Sequence, residues 1–103
     1  MATWLQKFYA GKLLNPADTR LLLGLMESQK YRERIPGGVP GGVTVADKPG
    51  WLTVAEGDGE NVQNDAAIVY GPKSTYILVI TTTGSTTQPL ADLSRQVYDY
   101  LQN

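Results

Sequence analysis

Two residue types that many enzymes use for chemistry are missing from this sequence, which has no cysteine and no histidine among its 103 residues. Without cysteine the chain has no disulfide, no zinc-thiolate site and no thiol nucleophile. Without histidine it has no His metal site and neither a Ser-His-Asp nor a Cys-His pair. These absences exclude most common catalytic mechanisms, and nothing in the composition implies a cofactor.

The chain also has little net charge and no long apolar run. Nine basic and ten acidic residues leave a net charge of −1, and Lys and Arg form no block, so no nucleic-acid partner is expected. No apolar run approaches the roughly 18 residues of a membrane span. The first residues already follow an amphipathic pattern, so we expect no secretory signal peptide there. With 42% hydrophobic residues, the composition indicates one globular domain covering residues 1–103.

Three helices are predicted from apolar spacing and end signals. Trp4, Leu5, Phe8 and Tyr9 fall on one helical face, which Gly11 ends. A second helix begins at the N-cap Asn15 with Pro16 behind it and runs to about residue 30. Its core face is expected to contain Leu21, Leu22, Leu25 and Met26. The last helix opens at Pro89 and carries apolar residues at helical spacing: Leu90, Leu93, Val97, Tyr100 and Leu101.

Three strands are predicted between the second and third helices. Residues 35–42 are rich in Pro and Gly and are interpreted as a loop without regular structure. Strands follow at 43–48, ending in a Lys48-Pro49-Gly50 turn, at 65–70, and at 74–83, whose nearly continuous apolar centre indicates burial on both faces. The order helix-helix-strand-strand-strand-helix predicts an α+β fold, in which helices flank an antiparallel three-stranded meander.

The segment from Gly57 to Asn64 is polar and predicted to be turn-rich. Glu56, directly before this segment, forms an acidic group with Asp58 and Glu60, but their spacing lacks the rest of a calcium loop. A solvated loop is therefore the favoured interpretation, and no metal site is predicted.

Three features together resemble a known family. They are the Leu-rich helix ending near "MESQKYRERIPGGVPGG" before the strand "VTVADKPG", the segment "NDAAIVYGPKSTYILVITTTG", and a terminal helix that closes the chain. In this order they resemble the C-terminal part of a class A β-lactamase or a related penicillin-recognising serine hydrolase. The resemblance covers nearly the whole chain and implies the C-terminal portion of the β-lactamase/transpeptidase-like fold.

That family's signature combines a Ser-x-x-Lys nucleophile motif, a Ser-Asp-Asn loop and a Lys-Thr-Gly strand. No Ser in this sequence begins a Ser-x-x-Lys motif, no Ser-x-Asn occurs, and only a variant of the third motif, Lys48-Pro49-Gly50, is present. The resemblance therefore implies one wall of an active site without its nucleophile, and a chain that is not catalytic alone.

The resemblance also assigns roles to four substrate-binding residues. Lys48 would face the substrate carboxylate and the catalytic Ser, Gly50 would allow close approach of the substrate, and the N–H of Trp51 would belong to the oxyanion hole. Pro49 departs from the usual Thr or Ser, and it supports an edge position for the strand while removing a hydroxyl contact. Without the resemblance, Lys48 reads as a solvated strand-end residue, Pro49-Gly50 as a turn, and Trp51 as a core or interface anchor.

The function implied for the complete protein is hydrolysis of a β-lactam or a D-Ala peptide outside the cytoplasm, in the periplasm or after secretion. The expected partner is the missing N-terminal half of the domain, or a second copy in a swapped or other homo-oligomeric arrangement. Two alternatives remain open: a non-catalytic binding module that uses the same half-fold, and a small structural domain with only a fold-level likeness.

Overall fold

The structure is a computed structural model that describes residues 1–52, 61–84 and 86–103. Within these residues the element order is α1 (Ala2–Tyr9), α2 (Pro16–Glu27), a 3₁₀ helix (Ile35–Gly38), β1 (Thr44–Leu52), β2 (Val62–Tyr70), β3 (Thr75–Thr83) and α3 (Gln88–Gln102). This order confirms the predicted α+β architecture. The acidic group Glu56, Asp58 and Glu60, and the start of the predicted turn-rich segment, lie outside the described residues. In the described part of the chain, no helix has the length and apolar character needed to cross a membrane.

The helix ends follow the local signals in the sequence. The Asn15 side chain accepts a hydrogen bond of 2.8 Å from the Asp18 N–H, and Pro16 occupies the first turn of α2. Gly11 adopts a φ of 75°, a left-handed conformation that suits glycine and ends the chain's helical path after α1. Pro89 lies in the first turn of α3, as predicted. The second helix ends at Glu27, about three residues earlier than predicted, and the Ser28 hydroxyl bonds back to the Gly24 carbonyl.

The described strands form one antiparallel sheet of order β1-β2-β3, which confirms the predicted meander. Two predicted boundaries were wrong. β1 continues through Pro49 and Gly50, which pair with Asp65 and Asn64, so Lys48-Pro49-Gly50 is strand and not turn. β2 begins at Val62, because the polar residues before Asp65 pair on both sides with β1 and β3. Both strands are longer than predicted because hydrogen bonds to neighbouring strands extend them, and the β-propensity of a single segment does not reveal such pairing.

The sheet has a core on each face. The face toward α3 and the 3₁₀ helix packs the buried residues Ile35, Val45, Ala67, Val69, Ile80, Leu90 and Tyr98. The opposite face packs against α1 and α2 through Leu5, Phe8, Met26, Ala46, Ala66 and Ile68. The central strand β2 is therefore the one buried on both faces, from Asp65 to Val69.

The prediction that the 74–83 strand is buried on both faces was wrong. Within the described residues β3 is an edge strand, and only Ile80 in it is fully buried. The short helix α1 covers one face of β3 incompletely, so Ile77 and Val79 remain half-buried there, and Leu78 on the opposite face is also half-buried. An apolar strand with an unpaired edge is a surface that proteins normally cover.

The residues predicted to form helix core faces are only partly buried. On α2, Met26 is buried but Leu21 and Leu25 are 65% and 59% exposed. On α3, Leu90 is buried while Leu93 and Tyr100 face outward, and the small residues Ala91 and Ser94 take the inner positions. Which side of a helix is buried depends on how the helix is rotated against its neighbours. Apolar spacing alone does not determine this rotation.

The predicted loop at 35–42 contains a 3₁₀ helix, Ile35–Gly38, so the expectation of no regular structure was wrong there. Ser94 of α3 donates a hydrogen bond of 2.8 Å to the Ile35 carbonyl. Gly38 lies so close to α3 that a Cβ atom at this position would meet backbone atoms of Ala91 and Arg95. The Gly-rich composition therefore permits close docking of this segment on α3 instead of a free loop.

Candidate functional site

The candidate site lies along β1, whose outer edge has no neighbouring strand within the described residues. Lys48, Pro49, Gly50 and Trp51 occupy consecutive positions near the end of this strand and pair with residues 66 to 63 of β2. Because side chains alternate along a strand, Lys48 and Gly50 face α1 and α2, whereas Pro49 and Trp51 face the other side. The edge position also explains why a strand can contain Pro49, which has no N–H to donate.

Lys48 is exposed and stands where three depressions meet. The largest, about 550 Å³ in volume, is mainly apolar and is lined by residues of α1 and α2 together with Ala66. Two smaller ones, of about 250 and 240 Å³, lie on either side of the β1 edge near Pro49. Among the described residues no carboxylate forms an ion pair with Lys48, and its Nζ donates only to the Pro49 carbonyl at 2.9 Å. Its charge is therefore available to an anion.

The space beside Gly50 is open. A Cβ atom built at Gly50 meets no described atom within 4 Å. Asn64, the partner of Gly50 across the sheet, has a buried side-chain oxygen with no described hydrogen-bond donor, and it lines the same 250 Å³ depression as Thr81. Asn64 and Thr81 were not singled out from the sequence, because only the strand register brings them beside Lys48 and Gly50.

Trp51 is not a core residue, since 47% of its surface is exposed. Its ring meets the ring of Tyr31 edge-on at a centroid distance of 4.9 Å, and the Arg34 guanidinium lies 4.9 Å from its centroid. Arg34 is itself buried, and its Nε and Nη2 donate to Gln63 Oε1 at 3.1 and 2.7 Å. A cation over an aromatic face is attracted to it. These contacts hold Trp51 in one orientation at the rim of the 240 Å³ depression.

Two buried carboxyl groups lie behind the site. Asp47 directly precedes Lys48, Asp65 pairs with Pro49, and both are almost completely buried. Burial and contact with Asp47 raise the pKa of Asp65 to about 8, and burial also raises the pKa of Asp47. Sequence reasoning missed both, although an Asp in the middle of an apolar strand is an unusual choice that signals a specific partner.

Comparison with known proteins identifies the family and the fold. The sequence matches the family model described as the beta-lactamase enzyme family over residues 1–101. The structure of the TLA-1 extended-spectrum β-lactamase matches with a TM-score of 0.87 at 23% identity, over 99% of this chain and 40% of that one. A β-lactamase from Chitinophaga pinensis matches with a TM-score of 0.83 at 25% identity, over 96% and 39% of the two chains.

A variant of PBP-A, solved as an acyl-enzyme complex with penicillin G, has a TM-score of 0.79 and 24% identity, over 96% of this chain and 37% of that one. No curated protein matches the sequence. The chain thus spans about 40% of the length of the solved structures it resembles. The predicted fold, a portion of the β-lactamase/transpeptidase-like fold, is confirmed.

Proposed function

The chain belongs to the β-lactamase enzyme family, and we propose that it forms one wall of a serine hydrolase active site, with Lys48, Pro49, Gly50 and Trp51 as substrate-binding residues. The observation that carries this proposal is the exposed ammonium of Lys48, which has no carboxylate partner among the described residues and lies beside the open space at Gly50 on the edge strand β1. Lys48 binds the substrate carboxylate with a compact charge and three donors. The Trp51 N–H contributes to the oxyanion hole, where a donor is worth about 2.7–4 kcal/mol in the transition state.

The substrate class is a β-lactam or a D-Ala peptide, and the nucleophilic Ser comes from the part of the fold that this chain lacks. Support comes from the shared fold with PBP-A, whose solved variant carries penicillin G as an acyl-enzyme. The sequence contains no Ser-x-x-Lys motif, so the chain alone does not turn over substrate. We also propose that the complete protein acts outside the cytoplasm, as members of this family typically do.

The missing part of the fold is the proposed partner. Three surfaces are left uncovered among the described residues: the outer edge of β3, the outward side of α2 with Leu21 and Leu25, and the 550 Å³ apolar depression between α1, α2 and Lys48. A polypeptide that covers them would enclose Lys48 in a cleft. Without it, a second copy of the chain would satisfy the same surfaces by swapping or edge pairing.

A second candidate function is a non-catalytic binding module. Pro49 lacks the hydroxyl that the family uses, and the Trp51 ring, held by Arg34 over its face and by the edge-on ring of Tyr31, is suited to holding a flat ligand. In that case Lys48 and Trp51 bind a carboxylate ligand that is never acylated.

The test is acylation of the complete protein by a labelled penicillin. We expect Lys48→Ala to acylate much more slowly than wild type, because the cleft loses its positive charge. Lys30→Ala is the matched control, since Lys30 lines the neighbouring depression and its Nζ contacts only the Tyr31 ring among the described residues. Pro49→Thr restores a hydroxyl and should improve recognition by roughly 1.5–3 kcal/mol at best. If Lys48→Ala acylates as fast as wild type, Lys48 is a solvated strand residue and the site assignment is wrong.

The purified 103-residue chain should hydrolyse a chromogenic cephalosporin only at the background rate. Saturable turnover by this chain would contradict the proposed division of the active site. Binding of penicillin without acylation by the complete protein would favour the binding module.

A further inference from the structure

The paired carboxyl groups behind β1 have an incomplete set of hydrogen-bond donors. Asp47 and Asp65 are 0% and 1% exposed. Asp47 Oδ1 accepts from Gln29 Nε2 at 2.8 Å and from Arg32 Nη1 at 3.0 Å. Asp65 Oδ2 accepts from the Ile35 N–H at 3.0 Å. The remaining oxygens, Asp47 Oδ2 and Asp65 Oδ1, have no donor among the described residues.

Asp47 pairs with Ala67 and Asp65 pairs with Pro49, so the two buried carboxyl groups lie on the same face of adjacent strands as diagonal neighbours. Two carboxylates cannot hydrogen-bond, because an ionised carboxylate only accepts. If one proton lies between the two groups, one of the oxygens that lack a donor carries it as an O–H and the other accepts the hydrogen bond. Without that proton both oxygens would be buried and unsatisfied, which proteins rarely tolerate.

The charges around the pair match one negative charge and not two. Arg32 forms the one direct ion pair with Asp47 that the described residues contain. Arg34 lies near enough to lower the pKa of Asp47, but its donors bond to Gln63 and to the exposed Glu33. Lys48 points to the other face of β1, and β3 places apolar Ile80 opposite Asp65. A second negative charge would therefore lack a close partner.

We propose that Asp47 and Asp65 share one proton, and that this proton-bridged pair is a positioning device for the strand that carries Lys48. The pair joins β1 to β2 immediately beside Lys48-Pro49-Gly50. Through Gln29, Arg32 and the Ile35 N–H it also fixes the segment between α2 and the 3₁₀ helix, which carries Tyr31 and Arg34 against Trp51. One buried proton thus holds both sides of the candidate site.

The consequence is a stability that depends on pH between about 4 and about 8. Burial, with the neighbouring Asp47, raises the pKa of Asp65 to about 8, well below the ordinary lysine pKa of about 10.4. The folded chain keeps the proton that the unfolded chain loses near pH 4, so the pair's contribution to stability is present at low pH and is lost as pH rises toward 8. Across this window the folding equilibrium constant falls up to tenfold per pH unit.

The direct test is an NMR titration of the chain with ¹³C-labelled aspartate carboxyl groups, which needs no substrate. We expect one aspartate signal of wild type to titrate near pH 8, and this transition to be absent from Asp65→Asn and to move to lower pH in Asp47→Asn, which removes the neighbouring carboxyl group but not the burial. Asp92→Asn, at an exposed position of α3, is the matched control and should retain it. If every aspartate of folded wild type titrates below about pH 5, or if the transition survives in Asp65→Asn, the shared proton is disproved. The wild-type titration alone decides this point if a variant does not fold.

The positioning role is tested by the pH dependence of unfolding and of acylation, the latter resting on the proposed function. In urea unfolding, wild type should lose stability between about pH 5 and pH 8, whereas Asp65→Asn should change little because its amide keeps a donor for Asp47 Oδ2. In the complete protein, acylation by folded wild type should fall as the pH rises through about 8, where the pair loses its proton, and this fall should be absent in Asp65→Asn. Equal profiles for the two proteins would refute the positioning role. A complete protein that is never acylated would refute the proposed function but leave the NMR result decisive for the shared proton.

Discussion

Gly38→Ala offers a sharp test of how the 3₁₀ helix supports the site. A Cβ atom at position 38 would lie 2.7 Å from the Arg95 backbone nitrogen and 2.8 Å from the Ser94 Cβ atom, and it would also overlap the Ala91 carbonyl oxygen. The backbone atoms belong to α3 and cannot rotate away as a flexible side chain would. The substitution must therefore push the 3₁₀ helix off α3.

The expected loss is at the upper end of the range for overpacking, about 3 kcal/mol. For a domain of this size that corresponds to a fall in Tm of roughly 10–20 °C. The same displacement would weaken the Ser94 hydrogen bond to the Ile35 carbonyl and the Ile35 hydrogen bond to Asp65, which lie three residues before the clash. The site should therefore lose its support together with the stability.

The assay is urea unfolding followed by tryptophan fluorescence, with Gly41→Ala as the matched control. Gly41 is another glycine of the same segment, but a Cβ atom there meets nothing within 4 Å. We expect Gly41→Ala to change the free energy of unfolding by less than about 1 kcal/mol. Equal unfolding midpoints for Gly38→Ala and Gly41→Ala would refute the close docking of the 3₁₀ helix on α3.

Two further predictions concern the helices before the sheet. Asn15→Ala should cost about 1 kcal/mol, because the Asp18 N–H loses its cap, whereas Asn15→Ser should keep most of it; equal urea midpoints for the two variants would contradict the cap. The isolated chain of 11.2 kDa should self-associate in sedimentation experiments, and Leu21→Glu with Leu25→Glu should reduce the association, because these residues are exposed apolar surface on α2. Tyr100→Glu on α3 is the control, and a concentration-independent monomer in wild type would contradict the prediction.

The order and type of the main elements could be predicted without a structure, because the signals for them are local. The cap at Asn15 and the prolines at 16 and 89 act within one helical turn, and alternating or continuous apolar runs mark the three strands. The lack of a nucleophile motif also needed no structure, since a residue that is absent cannot be supplied by folding.

The position of the central strand and the contacts between distant residues could not be predicted from local signals. The sequences of three apolar strands do not show which strand lies in the middle of the sheet. The burial on both faces that was expected for β3 is therefore found in β2. Asp47 and Asp65 are 18 positions apart, and only the antiparallel register of β1 and β2 places both carboxyl groups in one buried space. The exposure of Lys48 and the stack of Trp51 on Arg34 likewise arise from pairing and packing across the chain. Such long-range contacts depend on a register in which a shift of one residue turns every side chain to the opposite face.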